Sequence, residues 1–154
     1  EYLYGKGKRT IDKYAQSTIC MFTITNIEEI NKVFGREIGT KTIIDVSNIV
    51  KTSISAQYIF VRYMGPKFAI AFSGVDLEGV EEFVKTVKDE IEKLTLKKEQ
   101  VVKNKKTKKQ LIAHPRTNFI LATYYKGTGL EEVTKKLEEY LDDADKTESN
   151  INCI

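Results

Sequence analysis

Apolar residues form two short runs, Tyr58-Ile59-Phe60-Val61 and Phe68-Ala69-Ile70-Ala71-Phe72, separated by Arg62-Tyr63-Met64-Gly65-Pro66-Lys67. Two such runs joined through Gly and Pro predict a β-hairpin with a tight turn. Ser17 to Thr25 carries Ile19, Met21, Phe22 and Ile24 among β-branched threonines, which suits a buried central strand, and Thr117 to Tyr125 reads as another strand. Elsewhere the spacing is helical. Ile27, Ile30 and Phe34 share one face of a short helix that Thr25 or Asn26 can cap and Gly35 can close. A second helix is expected to start near Gly39-Thr40, with Ile43, Ile44, Val46, Ile49, Val50 and Ile54 as its apolar stripe. Leu77, Val80, Phe83, Val84, Val87, Ile91 and Leu94 mark a third, with Glu81, Glu82, Lys85 and Lys88 on its opposite side. Leu130, Val133, Leu137 and Leu141 mark the last, and the polar tail from Asp142 to Ile154 is expected to fray.

The order is strand, helix, helix, hairpin, helix, strand, helix, with room for further strands around residues 97–116. It predicts an α+β fold in which a central, mostly antiparallel sheet is flanked by helices. With 154 residues, no internal repeat and no linker, one domain is expected over 1–154. The first residue is Glu rather than Met, so the domain is expected to be a fragment of a longer multidomain protein. Two cysteines, Cys20 in a core strand and Cys153 near the end, suggest reduced thiols and a cytoplasmic setting. No apolar run approaches the roughly 20 residues that span a bilayer.

Charge is uneven. Lys97 to Arg116 holds seven lysines, one arginine and one glutamate, a local net charge of +7 in a chain of net +3, so the remainder is acidic. Lys103, Lys105, Lys106, Lys108 and Lys109 have no interleaved aromatic residues to stack on bases, so a solvated loop or hairpin extension is the expectation rather than nucleic-acid binding. His114 has no second histidine or nearby cysteine to share a metal, and Glu28 and Glu29 read as acids favoured by a helix dipole.

The hairpin turn Arg62-Tyr63-Met64-Gly65-Pro66-Lys67-Phe68 resembles the Arg-Tyr-Gly-Gly-Asp/Glu-Glu-Phe turn of the GGDEF family, the diguanylate cyclases. Leu3, Gly5 and Arg9 are similar to the family's entry segment, whose helix is either shortened here or has residues missing from the given sequence. Thr23 to Thr40 resembles Asp-Ile-Asp-x-Phe-Lys-x-Ile-Asn-Asp-x-Tyr-Gly-His-x-x-Gly-Asp, matching at Ile24, Ile30, Asn31, Gly35 and Gly39. Phe119 to Ala122 stands where the family has Ser-x-Gly, and Leu137 to Asn150 resembles its C-terminal motif. The resemblance implies a nucleotidyl-cyclase, ferredoxin-like palm fold and a place in bacterial cyclic di-GMP signalling. Active members condense two GTP with Mg²⁺ across a dimer.

Carried over position by position, the metal ligands become Thr23 and Pro66, and Lys67 replaces the neighbouring Glu. The guanine-reading pair becomes Asn31 and Thr40, the phosphate contacts become Asp145 and Ser149, and the inhibitory Arg-x-x-Asp becomes Ser55-Ala56-Gln57-Tyr58. No catalytic or metal-ligating residue is therefore expected at Thr23, Pro66 or Lys67, and no cofactor. Asn26, Ile27, Asn31, Thr40 and Lys67 remain as a vestigial nucleotide site, with backbone N–H groups at the Asn26-Ile27 turn and Lys67 in place of the metal charge. The expected function is a catalytically inactive regulatory or dimerisation module, adjoining an EAL phosphodiesterase or a sensor domain. The alternative is a divergent nucleotide-binding enzyme, cyclase-like or a weak nucleotide hydrolase, with Glu28, Glu37 or Asp45 as unorthodox metal ligands.

Overall fold

The computed structural model describes residues 8–63, 65–101, 108–144 and 149–154. Its elements run α1 (Lys8–Ile11), β1 (Gln16–Ile24), α2 (Ile27–Phe34), α3 (Arg36–Ser53), β2 (Ile59–Arg62), β3 (Lys67–Phe72), α4 (Leu77–Glu92), β4 (Leu96–Val101), β5 (Lys108–Ala113), β6 (Thr117–Tyr125), α5 (Leu130–Asp143) and β7 (Ile151–Cys153). Five strands form one sheet in the order β2-β3-β1-β6-β7, and β4 and β5 form a separate antiparallel ribbon. All pairings in the main sheet are antiparallel except β6 with β7. This is the α+β sheet flanked by helices that the pattern predicts.

Both faces of β1 are buried, because helices cover the sheet on each side. Phe22, Phe68 and Phe119 point to the face packed by α2, α3 and α4, while Ile19, Met21, Ala69 and Ile120 point to the face packed by α1 and α5. A row of rings crosses four strands on the first face. Phe60 stacks on Phe68 at 5.7 Å between centroids, Phe68 on Phe22 at 4.9 Å, and Phe22 on Phe119 at 4.4 Å. Each such pair contributes about 0.5–1.5 kcal/mol beyond its buried area.

Several boundaries and faces differ from the sequence expectation. α3 begins at Arg36, not near Gly39-Thr40: Gly35, at φ +97°, makes the only break with α2, and the Gly39 N–H already bonds the Gly35 carbonyl at 3.1 Å. Ile44 projects from the packed side of α3 and is half exposed, and Thr134 rather than Val133 is the buried partner of Leu137 in α5. The tail beyond α5 is not merely a fraying end. Ile151–Cys153 adds a parallel strand to β6, and a three-residue strand is too short to show a period of two. Both cysteines are free thiols. Among the described residues no helix is long and apolar enough to cross a membrane.

Lys88 also departs from its expected place on the solvent side of α4. Its side chain is only 12 % exposed, and its ammonium donates to Glu92 Oε2 (2.5 Å), the Thr117 carbonyl (2.6 Å) and Ser149 Oγ (2.6 Å). Glu92 in turn accepts from the Thr117 N–H (3.0 Å), the Thr117 hydroxyl (2.9 Å) and the Ser149 hydroxyl (2.8 Å). The cluster ties α4 to the start of β6 and to the segment entering β7. Burial pushes the Glu92 carboxyl up, but the hydrogen bonds from Lys88, Thr117 and Ser149 outweigh it and hold the pKa below the ordinary glutamate value. A carboxylate with a depressed folded-state pKa stabilises the fold above its unfolded pKa of about 4.3. That stabilisation is lost as pH falls through the lower folded value. Acid unfolding of wild type against Glu92→Gln checks this: the variant loses this part of the acid dependence, and Lys88→Met costs about 2 kcal/mol at neutral pH by stranding the carboxylate.

Candidate functional site

Strand register places one polar row at the end of the sheet. Thr23 pairs with Lys67 on β3 and with Asn118 on β6, and directly opposed residues share a face, so Lys67, Thr23 and Asn118 lie side by side on the α5 side. The adjoining residues Phe22, Phe68 and Phe119 are the stacked rings of the opposite face. The hairpin turn holds Lys67 in position. Gly65 takes φ +56°, its carbonyl accepts from Arg62 Nε at 2.9 Å, and the Tyr63 N–H donates to the Lys67 carbonyl at 2.8 Å. A Cβ at Gly65 would meet nothing, so the glycine is there for its backbone angle. Pro66 contributes its carbonyl to the Ile24 N–H at 3.2 Å.

In front of this row lies a cleft of about 240 Å³ lined by Thr23, Thr25, Ile27, Glu28, Pro66, Lys67 and the end of α5 at Leu141, Asp142 and Ala144. Lys67 crosses the cleft to form an ion pair with Asp142, a residue 75 positions later. The Lys67 side chain is 21 % exposed and that of Asp142 54 %. A pair so open to water is worth at most about 1 kcal/mol, so it is exchangeable. The three positions that the resemblance assigns to the metal site do not supply a magnesium site's donors. Mg²⁺ favours carboxylate oxygens in octahedral array, whereas Thr23 offers a neutral hydroxyl, Pro66 no side-chain donor and Lys67 a positive charge.

The cleft brings together Thr23, Pro66, Lys67 and Ile27, four of the positions singled out in the sequence. The others lie apart. Asn26 occupies the N-cap position of α2 without making a capping bond. Its amide instead donates to the His114 carbonyl (2.9 Å) and accepts from the Arg116 N–H (2.8 Å), joining α2 to the connection between β5 and β6. Asn31 packs on α3: a Cβ at Gly39 would fall 1.6 Å from its Oδ1, so the two helices meet through an amide laid on a bare backbone. Thr40 is exposed in a shallow depression with Glu37 and Lys41. Asp45 is paired with Lys41 at 2.7 Å, and among the described residues no three His, Cys, Asp or Glu side chains gather as a metal site, so Glu28, Glu37 and Asp45 do not converge. Ser149 belongs to the Lys88 cluster. Met64, Asp145, the entry segment before Lys8 and the lysines at 103, 105 and 106 lie outside the described residues.

Two residues of this region had not been singled out. Asn118 is completely buried on β6, and neither atom of its amide has a hydrogen-bond partner. An amide directly before the apolar run Phe119 to Ala122 was the available signal. Asp142 gave none, since its partner is brought to it only by the fold.

A family model described as diguanylate cyclase, GGDEF domain, matches residues 3–150. No curated protein matches the chain. Among solved structures, the GGDEF domain of DgcB from Caulobacter crescentus in complex with c-di-GMP superposes with a TM-score of 0.76 at 14% identity, over 98% of this chain and 85% of that one. The active GGEEF domain of a diguanylate cyclase from Vibrio cholerae gives 0.70 at 15% identity, over 98% and 88%. Diguanylate cyclase SiaD from Pseudomonas aeruginosa, solved with its activator SiaC, gives 0.75 at 12% identity, over 97% and 55%. At these identities the likeness to the structures is one of fold.

The Asn31–Gly39 contact is open to a double-mutant cycle. Gly39→Ala forces the Asn31 amide out and costs about 1–2 kcal/mol of stability. Asn31→Ala in the same chain recovers most of that loss, and denaturant melts of the four species measure the coupling.

Proposed function

The chain belongs to the diguanylate cyclase GGDEF-domain family, and on that premise we propose that this copy makes no cyclic di-GMP and acts as a regulatory or dimerisation module within a longer cytoplasmic signalling protein. The observation that carries the proposal is the Lys67–Asp142 ion pair across the cleft. Condensing two nucleotides at the α-phosphate requires cations that neutralise the phosphates and organise the attacking hydroxyl. An ammonium already paired with a carboxylate, beside a neutral threonine and a proline, supplies neither the charge nor the coordination geometry.

The described residues keep the scaffold: the five-stranded sheet, the hairpin with its positive-φ glycine and the helices on both faces. A domain that keeps its scaffold while replacing its metal ligands suits a role in contact rather than turnover. SiaD, one of the similar structures, is solved with an activator protein, and a protein partner fits this reading. For this chain the partners that fit the reading are a second copy of itself and an adjoining EAL or sensor domain.

The test is direct. Purified protein incubated with GTP and Mg²⁺ or Mn²⁺ is expected to yield no cyclic di-GMP by chromatography. Appearance of the product in proportion to enzyme would overturn the proposal.

A further inference from the structure

Among the described residues β4 and β5 form a ribbon of two strands, so β5 is paired on one side only. Beside it lies a groove of about 460 Å³, which shares no lining residue with the cleft at the hairpin. Ile30, Val33 and Phe34 of α2 form one wall, and Leu111, Ile112, Ala113 and His114 form the other. One face of a strand offers only every second residue, whereas four consecutive residues line a groove that follows the backbone edge. In an antiparallel pair, alternate residues turn both backbone groups toward the partner strand and the others turn them away. Among the described residues, Leu111, Ile112 and Ala113 make no backbone bond outside the ladder with β4. The groove therefore has open peptide groups on one side and an apolar helix on the other. Two contacts tie ribbon to helix and hold its shape: the Asn26 amide donates to the His114 carbonyl at 2.9 Å, and Lys98 Nζ donates to the Val33 carbonyl at 3.1 Å.

We propose that this edge binds an extended acidic segment of a partner protein, which adds to β5 as a third strand of the ribbon and lays its apolar side chains against α2. Main-chain bonds to the open edge supply affinity, and the side chains that alternate along the added strand supply selectivity. Four residues of edge correspond to about 13 Å of strand. Charge selects the occupant. His114 and Arg116 are exposed and line the groove, Lys97 lies opposite Ile112 on the outer face of the ribbon, and Lys97 to Arg116 carries a net charge of +7. A second copy of this chain would bring the same positive run against itself, and like charges opposed across strands are destabilising. Lysines along an open edge act against self-pairing for this reason. An acidic segment meets the same run with the opposite sign. Glu29 is the one acid among the lining residues and belongs to the helix wall, so the partner's acids fit the side turned away from α2, alternating with apolar residues that turn toward Ile30 and Val33.

The probes are short acetylated and amidated peptides in which Val, Ile, Leu or Phe alternates with Glu, arrayed against the whole chain beside matched peptides that carry Lys in place of Glu. The Glu peptides are expected to bind, and their Lys counterparts to bind about tenfold more weakly, the effect of a few cross-strand charge pairs of the wrong sign. Arg116→Glu is expected to narrow that difference. N-methylation of alternate amides in the tightest Glu peptide removes the donors along one of its edges. Of the two alternate patterns, one is expected to abolish binding and the other to leave it, because only one edge of an added strand meets β5. Amide hydrogen exchange on the chain locates the contact, with new protection expected within Leu111 to Ala113.

Failure of every Glu peptide to bind overturns the proposal. So does equal affinity for Glu and Lys peptides, binding that survives both patterns of N-methylation, or protection that falls outside β5. Sedimentation of the chain alone supplies the last outcome: a dimer whose formation protects the same β5 amides would make a second copy the occupant, and would overturn the proposal as well. Because groove and cleft have no lining residue in common, this inference and the inactive-module reading fail separately.

Discussion

Phe22 on β1 is stacked between Phe68 on β3 and Phe119 on β6, and this contact sets the register of the three strands that form the middle of the sheet. Because side chains alternate with a period of two, a slip of one residue would exchange the two faces of every strand. The aromatic row would then face α5, and the polar row of Lys67, Thr23 and Asn118 would be driven under α2, α3 and α4. Burying an ammonium among those apolar helices costs far more than any hydrogen bond there could offset. The apolar packing and the composition of the cleft are thus two results of one register.

The cleft carries an unusual charge pattern on the family's fold. Around Lys67 the chain has an ammonium, a hydroxyl and an imino acid at positions where the resemblance places metal-binding acids. The ion pair with Asp142 balances the new positive charge within the chain. It does so near solvent, where such a pair contributes little to stability. The unpartnered amide of Asn118 lies on β6 across from Thr23, on the face opposite the aromatic row.

A second polar cluster plays the opposite role. Lys88, Glu92, Thr117 and Ser149 satisfy one another with short bonds and little exposure, joining α4, β6 and the segment before β7. Such a closed network rigidifies its surroundings. It explains why β7 joins the sheet at all, given only three residues of strand: the Phe119 N–H bonds the Asn150 carbonyl at 2.8 Å, and the neighbouring Ser149 is anchored from below by Lys88.

Local pattern alone determined the elements with strong periodicity: the two faces of β1, the hairpin with its Gly65 turn, and the apolar stripe of α4, because burial imposes a period that the residue types must follow. It also showed that Thr23, Pro66 and Lys67 lack the carboxylates a magnesium site needs, since donor chemistry is a property of the residue itself. What it left undecided depends on distance across the fold. Lys88 reads as a surface lysine until Thr117 and Ser149 are brought around it, Asn26 reads as a helix cap until the β5–β6 connection arrives, and Asp142 meets Lys67 only after 75 residues of chain have folded back. Spacing encodes contacts between near neighbours on one helix or strand. The pairing of polar groups from separate elements is decided by packing, where each buried donor and acceptor takes the partner the tertiary structure places within reach.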